Sequence, residues 1–322
     1  MTTILPIASG KGGTGKTLFS VNLGTALALK RKTVILIDLD LGGSNLHTWM
    51  GIKNKYPGIG DLIYKRERNL KSLLIETGIE RLFLIPGDTL LTGTANLDFS
   101  HKKKIIREIK SLIADYIIID LGSGTSFNTI DFFLASSTGI IITTPETTSL
   151  LNAYSFLKSV LYRILYYSFT PRSEERKALS FFIGNPIERK NISIKKIIEI
   201  LLKINPDSGI KGENQIKQFF PKIVLNMVSN INELPISSKL RQIARKNLGI
   251  QMEYIGCLFK SPYVAESLIK RKPLVLLKPE SSFAKEINQI ANNIIASSVK
   301  QSKILFNSDE DIVKITKSIR ID

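Results

Sequence analysis

Two kinds of apolar pattern alternate along the chain. Short continuous runs, Ile4-Leu5-Pro6-Ile7-Ala8, Thr33-Val34-Ile35-Leu36-Ile37, Arg81-Leu82-Phe83-Leu84-Ile85 and Tyr116-Ile117-Ile118-Ile119, leave no polar face. Ile140 to Thr144 and Ile223 to Val228 are built in the same way. Such runs predict strands buried on both sides, as in a parallel sheet. Between them apolar positions recur at helical spacing: Leu18 to Leu29, Lys102 to Ile113, and the stripe Leu150, Leu151, Tyr154, Leu157, Leu161, Ile164, Leu165. After Asn226 the pattern predicts a helix over Ser238 to Asn247, a strand over Met252 to Cys257 and a helix over Tyr263 to Lys270. A long helix from Phe283 carries the stripe Phe283, Ile287, Ile290, Ile294, Ile295. Strands alternating with helices predict a doubly wound α/β fold on a mostly parallel sheet.

The alternation is interrupted once, over Ser168 to Pro221, where Pro171, Arg172 and lysine-rich pieces precede a helical stretch, Ile194 to Ile204. We read one domain over 1–298, an insertion at about 169–221, and a tail over 299–322. Lys102-Lys103-Lys104 reads as a solvated helix start, and Trp49 and Met50 as core.

Candidate chemistry starts where the first strand ends. Gly10-Lys11-Gly12-Gly13-Thr14-Gly15-Lys16-Thr17 lies between a strand end and a helix start. Its glycines let successive backbone N–H groups curl inward, and the helix terminus adds partial positive charge, so the loop suits phosphate. Lys16 is placed to reach the β/γ-phosphates and Thr17 to ligate Mg2+. The same residues satisfy a dinucleotide-binding spacing, with Asp38 about 20 residues on. Lys16-Thr17 argues against that reading, since a dinucleotide loop needs neither a lysine nor a hydroxyl there. Lys11 is a second lysine that an ordinary phosphate loop does not require.

Further carboxylates stand at strand ends, where the ligand crevice of a parallel sheet lies. Asp38 and Asp40 close the second run, inside Ile37-Asp38-Leu39-Asp40-Leu41-Gly42-Gly43-Ser44-Asn45-Leu46. We assign Asp38 to the metal's water shell and Asp40 to the attacking water; as structure alone, Asp38 to Asn45 would be a turn rich in Asp, Gly and Asn. Asp120 closes Tyr116 to Ile119 in the form of a Walker B element and is expected to hold Mg2+ through water. Gly122-Ser123-Gly124 is a candidate switch.

With Ala8 to Thr17, Ile37 to Leu46, Thr143-Thr144-Pro145-Glu146 and Val224-Leu225-Asn226-Met227-Val228, the chain resembles the deviant phosphate-loop ATPases of the MinD/ParA superfamily, closest to the MinD and FlhG branch. The resemblance covers Met1 to about Leu165 and Lys222 to about Ser298. It implies a P-loop NTPase architecture of the SIMIBI type, ATP and Mg2+ as cofactors, and slow, partner-stimulated hydrolysis. It also implies an ATP-dependent homodimer in which Lys11 crosses to the partner's ATP, Glu146 lies near the nucleotide at that interface, and Asn226 hydrogen-bonds adenine. The implied role is a switch that positions a division site or a flagellum. Two departures stand out: the glutamine-rich N-terminal activation segment of many FlhG proteins is missing, and Asn152 replaces a frequently acidic residue. A ParA-like, DNA-associated partition ATPase and a phosphotransferase on the same loop are the alternatives.

Composition narrows the partners. With 45 Lys+Arg against 28 Asp+Glu, the chain of 322 residues carries a formal charge of +17, which suits an anionic partner, membrane or DNA. Dispersed surface lysines would give the same total. One cysteine, Cys257, excludes a disulfide framework and a cysteine-held cluster, and His47 and His101 are too few for a histidine metal site. Met1 leads directly into a strand and no run is long enough to span a bilayer, so we expect no signal peptide and a cytoplasmic protein. The resemblance to MinD and FlhG adds a peripheral place at the inner face of the cell membrane. For that contact the tail offers a helix over Ile312 to Arg320, capped by Ser308-Asp309-Glu310-Asp311. Its stripe Ile312, Ile315, Ile319 lies beside Lys314, Lys317 and Arg320. The same stripe would serve a surface helix docked on the domain.

Overall fold

The computed structural model describes residues 2–53, 55–64, 66–87, 97–137, 139–184, 192–299 and 309–318. Eight strands form one sheet: β1 (Thr3–Ser9), β2 (Val34–Leu39), β3 (Ile75–Glu76), β4 (Leu82–Ile85), β5 (Tyr116–Ser123), β6 (Ile140–Thr143), β7 (Lys222–Val228) and β8 (Glu253–Phe259). Their order is β3-β4-β2-β5-β1-β6-β7-β8. All neighbours run parallel except β3, which pairs antiparallel with β4. The chain winds from β1 towards one edge and then towards the other, so the carboxyl end of β1 lies at the switch point of the topology.

The continuous apolar runs are explained by helices on both faces. One face carries the helices Lys16–Leu29 and Ser282–Val299, with a core that includes Phe19, Leu23, Leu36, Ile118 and Ile287. The other carries Phe99–Ser111, Phe127–Phe133, Thr147–Tyr167 and Ile236–Leu248, over Ile37, Ile117, Phe133, Phe156 and Ile223. Every residue from Leu18 to Ala28 of the first helix is buried, including the polar Ser20, Asn22 and Thr25. Asn22 is satisfied by accepting from Val275 N–H at 3.0 Å and donating to Leu18 O at 2.8 Å.

The structure moves several sequence boundaries. The helix expected over Lys102 to Ile113 spans Phe99–Ser111, because Asp98 accepts from His101 N–H at 2.9 Å and caps it earlier. Lys102 is a correction: it is buried, not solvated, and donates to Asp131, which is also gripped by Arg163 at 2.6 and 2.8 Å. Met50 is buried, and Trp49 packs against the same core. Among the described residues of the interval 169–221 stand the helices Glu174–Gly184, Ile194–Ile204 and Pro206–Gln218. Among the described residues no helix is long and apolar enough to cross a membrane.

The tail helix spans Glu310–Ser318 and docks on the domain. Ile312 is buried and Ile315 packs against the core. Asp311 accepts from the Arg241 guanidinium and from Tyr254 N–H of β8, the latter at 2.8 Å, and Arg241 also reaches Asp309 at 2.9 Å. The stripe predicted for lipid thus faces protein at its first two positions. Ser308, Ile319 and Arg320 lie outside the described residues, as does the Lys317 side chain.

Candidate functional site

The loop Gly10 to Gly15 leaves β1 and enters the helix Lys16–Leu29 at the switch point. Backbone geometry dictates its glycines. Gly13 and Gly15 have φ of 78° and 85°, where a side chain is strained. Gly10 lies against the backbone of Asn152: a Cβ there would come within 2.2 Å of the Asn152 carbonyl. The other side of the loop is held by Ser9, whose hydroxyl donates to Lys11 O at 2.7 Å, and by Gly124 N–H, which donates to Ser9 O at 2.9 Å. The candidate switch Gly122-Ser123-Gly124 is therefore tied directly to the loop's root.

Asp38 and Asp120 are register partners on β2 and β5, and both are buried. Asp120 accepts from Thr17 Oγ1 at 2.7 Å and from Ser20 Oγ at 2.9 Å. Burial pushes its pKa up to about 7, the neighbouring Asp38 adds to the rise, and Lys16 opposes it. Asp38 accepts at one oxygen from Ser44 Oγ at 2.7 Å and from Asn45 and Leu46 N–H at 3.0 Å, and at the other from Asp40 N–H at 3.2 Å. Its pKa is also raised, again chiefly by burial. Two adjacent buried carboxylates, each disfavoured as an anion, are a natural seat for a cation.

The residues present fit magnesium nucleotide. Thr17 and Asp120, already in contact, would hold the metal, with Asp38 behind them in its water shell. Thr14 Oγ1 is buried in the loop without a hydrogen-bond partner among the described residues, as expected of a group that awaits phosphate. Lys16 is also buried. Asp40 stands half-buried over Gly122, where a Cβ would lie 3.2 Å from its Oδ1.

Lys11 and Asn226 are placed differently from one another. Lys11 projects outward and its Nζ lies 3.2 Å from Glu146 Oε2, so these two sequence-predicted residues meet within one chain. Asn226 is buried, its Nδ2 donating to Thr14 O at 2.7 Å and its Oδ1 accepting from Met227 N–H at 2.9 Å. In this structure its amide group clamps the phosphate loop from behind, at Gly15. Ser20 and Ser44 were not among the sequence candidates, although Ser20 follows Thr17 by one helical turn and so shares its face.

Fold and site together define a phosphate-loop nucleotide-binding protein with a second, outward lysine. Residues 5–275 match the CobQ/CobB/MinD/ParA nucleotide-binding domain, and the chain belongs to that family. It is 26% identical to the flagellum site-determining protein YlxH of Helicobacter pylori over 306 residues, covering 92% of this chain and 82% of that protein. Against the septum site-determining protein MinD of Bacillus subtilis it is 34% identical over 149 residues, 46% of this chain and 55% of that one. In fold it is similar to MinD of Pyrococcus horikoshii complexed with Mg-ADP, with a TM-score of 0.61 and 21% identity over 94% of this chain and 100% of that one. A ParA family ATPase of Chlorobium tepidum gives a TM-score of 0.59 at 19% identity, covering 90% of this chain and 98% of that one.

Proposed function

We propose that this chain is an ATP-binding and hydrolysing dimerisation switch of the MinD/FlhG type, which positions a division site or a flagellum at the cytoplasmic face of the cell membrane. The observation that carries the reading is Lys11: it leaves a complete phosphate loop and ends on an exposed carboxylate, where it is free to exchange that partner for another chain's nucleotide. The loop amides and Lys16 would hold the phosphates, and Thr17 and Asp120 the metal. Bound Mg2+ supplies neutralisation of charge on the transferred phosphoryl group. Asp40 would orient the attacking water, and Gly122-Ser123-Gly124 would relay the state of the site to the dimer face. The names of the relatives, a flagellum site-determining protein and septum site-determining proteins, support the positioning role. An activating protein partner is part of the proposal.

A second reading, a ParA-like partition ATPase on DNA, is favoured by the formal charge of +17. DNA binding would weaken steeply with salt. The test is light scattering with ATP and with ADP, together with localisation of a fluorescent fusion. ATP-specific dimers and fusion at poles or midcell support the switch; a monomer in both nucleotides sinks it, and fusion on the nucleoid selects the DNA reading.

A further inference from the structure

The tail helix, expected to meet lipid, faces the domain and leaves Ile312 only 8% exposed. Another element presents apolar side chains outward. We propose that the helical hairpin over residues 194–218 is the membrane contact of this chain, its tip entering the headgroup layer of an anionic bilayer. The inference rests on the membrane-facing part of the function proposed above and assigns it to an element of the insertion at about 169–221.

The hairpin has its own buried seam. Ile194, Ile197, Ile198 and Leu201 of the first helix and Ile216 of the second are buried. At Gly212 the two helices and the long helix Thr147–Tyr167 approach closely: a Cβ there would stand 3.0 to 3.2 Å from Ile198, Leu165 and Leu201. Core formation therefore uses one face only. Around the turn at Asn205, Leu202, Ile204 and Ile210 remain 41%, 39% and 55% exposed. Leu202 lies over Gly209, so the two helices meet closely at the turn that carries these three aliphatic residues.

Charge and composition select the partner. The hairpin carries Lys195, Lys196, Lys203, Lys211 and Lys217 against Glu199, Asp207 and Glu213. Glu199 pairs with Lys196 and also feels Lys195 and Lys203, and Glu213 pairs with Lys217, so five lysines against three carboxylates leave the hairpin with a positive excess. Between 194 and 218 there is no aromatic residue and no arginine, the types enriched at protein–protein hot spots. Leucine and isoleucine flanked by lysine instead suit the boundary between acyl chains and anionic headgroups.

Position leaves the nucleotide face free. Ser208 donates to Glu175, and Lys211 lies over the Phe169 ring, both just past the end of the helix Thr147–Tyr167. That helix begins next to Glu146, the partner of Lys11, and its 21 residues span about 30 Å. The tip and the proposed dimer face therefore lie at opposite ends of one long helix.

The test is co-sedimentation of the full chain with vesicles of phosphatidylglycerol and phosphatidylethanolamine, and with phosphatidylcholine alone, in ATP and in ADP. The wild type should pellet with the anionic vesicles only. The double variant Leu202→Glu/Ile210→Glu should pellet about tenfold less, and Lys195→Gln/Lys203→Gln about threefold less or weaker still. Retained nucleotide binding checks that each variant is folded. If Leu202→Glu/Ile210→Glu pellets like the wild type, the hairpin is not the contact, although the membrane reading survives. Should that variant lose nucleotide binding, unchanged pelleting of Lys195→Gln/Lys203→Gln overturns the proposal on its own. A wild type that stays in solution with anionic vesicles in both nucleotides overturns the membrane reading, and the hairpin with it.

Discussion

Lys11 Nζ lies 3.2 Å from Glu146 Oε2 and 3.5 Å from Thr148 Oγ1, so the lysine that leaves the loop is folded back on its own chain. The two charged side chains are 46% and 65% exposed, and such pairs contribute about 0–1 kcal/mol. The contact parks Lys11 without locking it. Lys11→Ala should therefore keep ATP affinity within about threefold, since little binding energy in the monomer depends on it. With ATP it should remain monomeric in light scattering. A Lys11→Ala protein that still dimerises removes Lys11 from the interface.

Lys16 and Asp40 separate binding from chemistry. Lys16→Ala leaves phosphate charge without its cation and should abolish ATP binding in a fluorescent-nucleotide titration. Asp40→Ala leaves the cradle intact and should slow hydrolysis and lengthen the life of the ATP dimer; each tenfold loss of rate corresponds to about 1.4 kcal/mol. Hydrolysis at the wild-type rate would leave Asp40 as a turn residue.

Asn226 acts on the loop through one hydrogen bond, Nδ2 to Thr14 O at 2.7 Å. Removing a buried partner costs about 1–3 kcal/mol. Asn226→Ala should weaken ATP and GTP alike by about tenfold, because the loss falls on the phosphate cradle. If the loss is confined to adenine nucleotides, Asn226 reads the base, as the family resemblance implied.

Phosphate chemistry made the loop legible, because few residue types allow that backbone path and that charge. The strands were legible because helices cover both faces of a parallel sheet, which erases polar alternation. Lys102 was misread because its partner, Asp131, lies 29 residues away and is brought to it by packing. Asp131 inside the run Ile130 to Phe133 was the available signal: a carboxylate among buried apolar residues calls for a cation. In the tail, amphipathicity fixed which side chains share a face but not whether that face meets lipid or protein. That was decided by Arg241, some 70 residues upstream.

Glu286 gives the pH dependence. Its carboxylate accepts from Phe259 N–H at 3.0 Å, and burial pushes its pKa up to about 7 from an ordinary 4.5. The folded state then binds the proton more tightly than the unfolded chain. The associated stability is full below about pH 4.5 and is lost as pH rises through about 7. The thermal midpoint of nucleotide-free protein should fall between pH 5 and 8, with Asp120 contributing in the same window. Glu286→Gln keeps an acceptor for Phe259 N–H and should flatten part of the slope. An unchanged slope in that variant would show that Glu286 ionises normally.

Arg241 joins the tail to the sheet. It contacts Asp309 and Asp311, its guanidinium lies 5.2 Å from the Tyr254 ring, and Asp311 also accepts from Tyr254 N–H at the edge strand β8. Asp311→Ala would leave a buried guanidinium short of its counter-charge and an edge N–H without its acceptor. Breaking one side of a buried pair costs about 3–5 kcal/mol, which for a chain of this size lowers the thermal midpoint by roughly 5–15 °C. The double variant Arg241→Met/Asp311→Leu removes both charges and should recover part of that loss, because no uncompensated ion is left inside. Hydrogen exchange supplies a local readout: the Tyr254 amide should be protected in the wild type and exchange quickly in both variants, since neither restores its acceptor. If Asp311→Ala melts within about 1 °C of the wild type and the Tyr254 amide stays protected, the tail does not hold this edge, and its isoleucines return as candidates for the lipid contact.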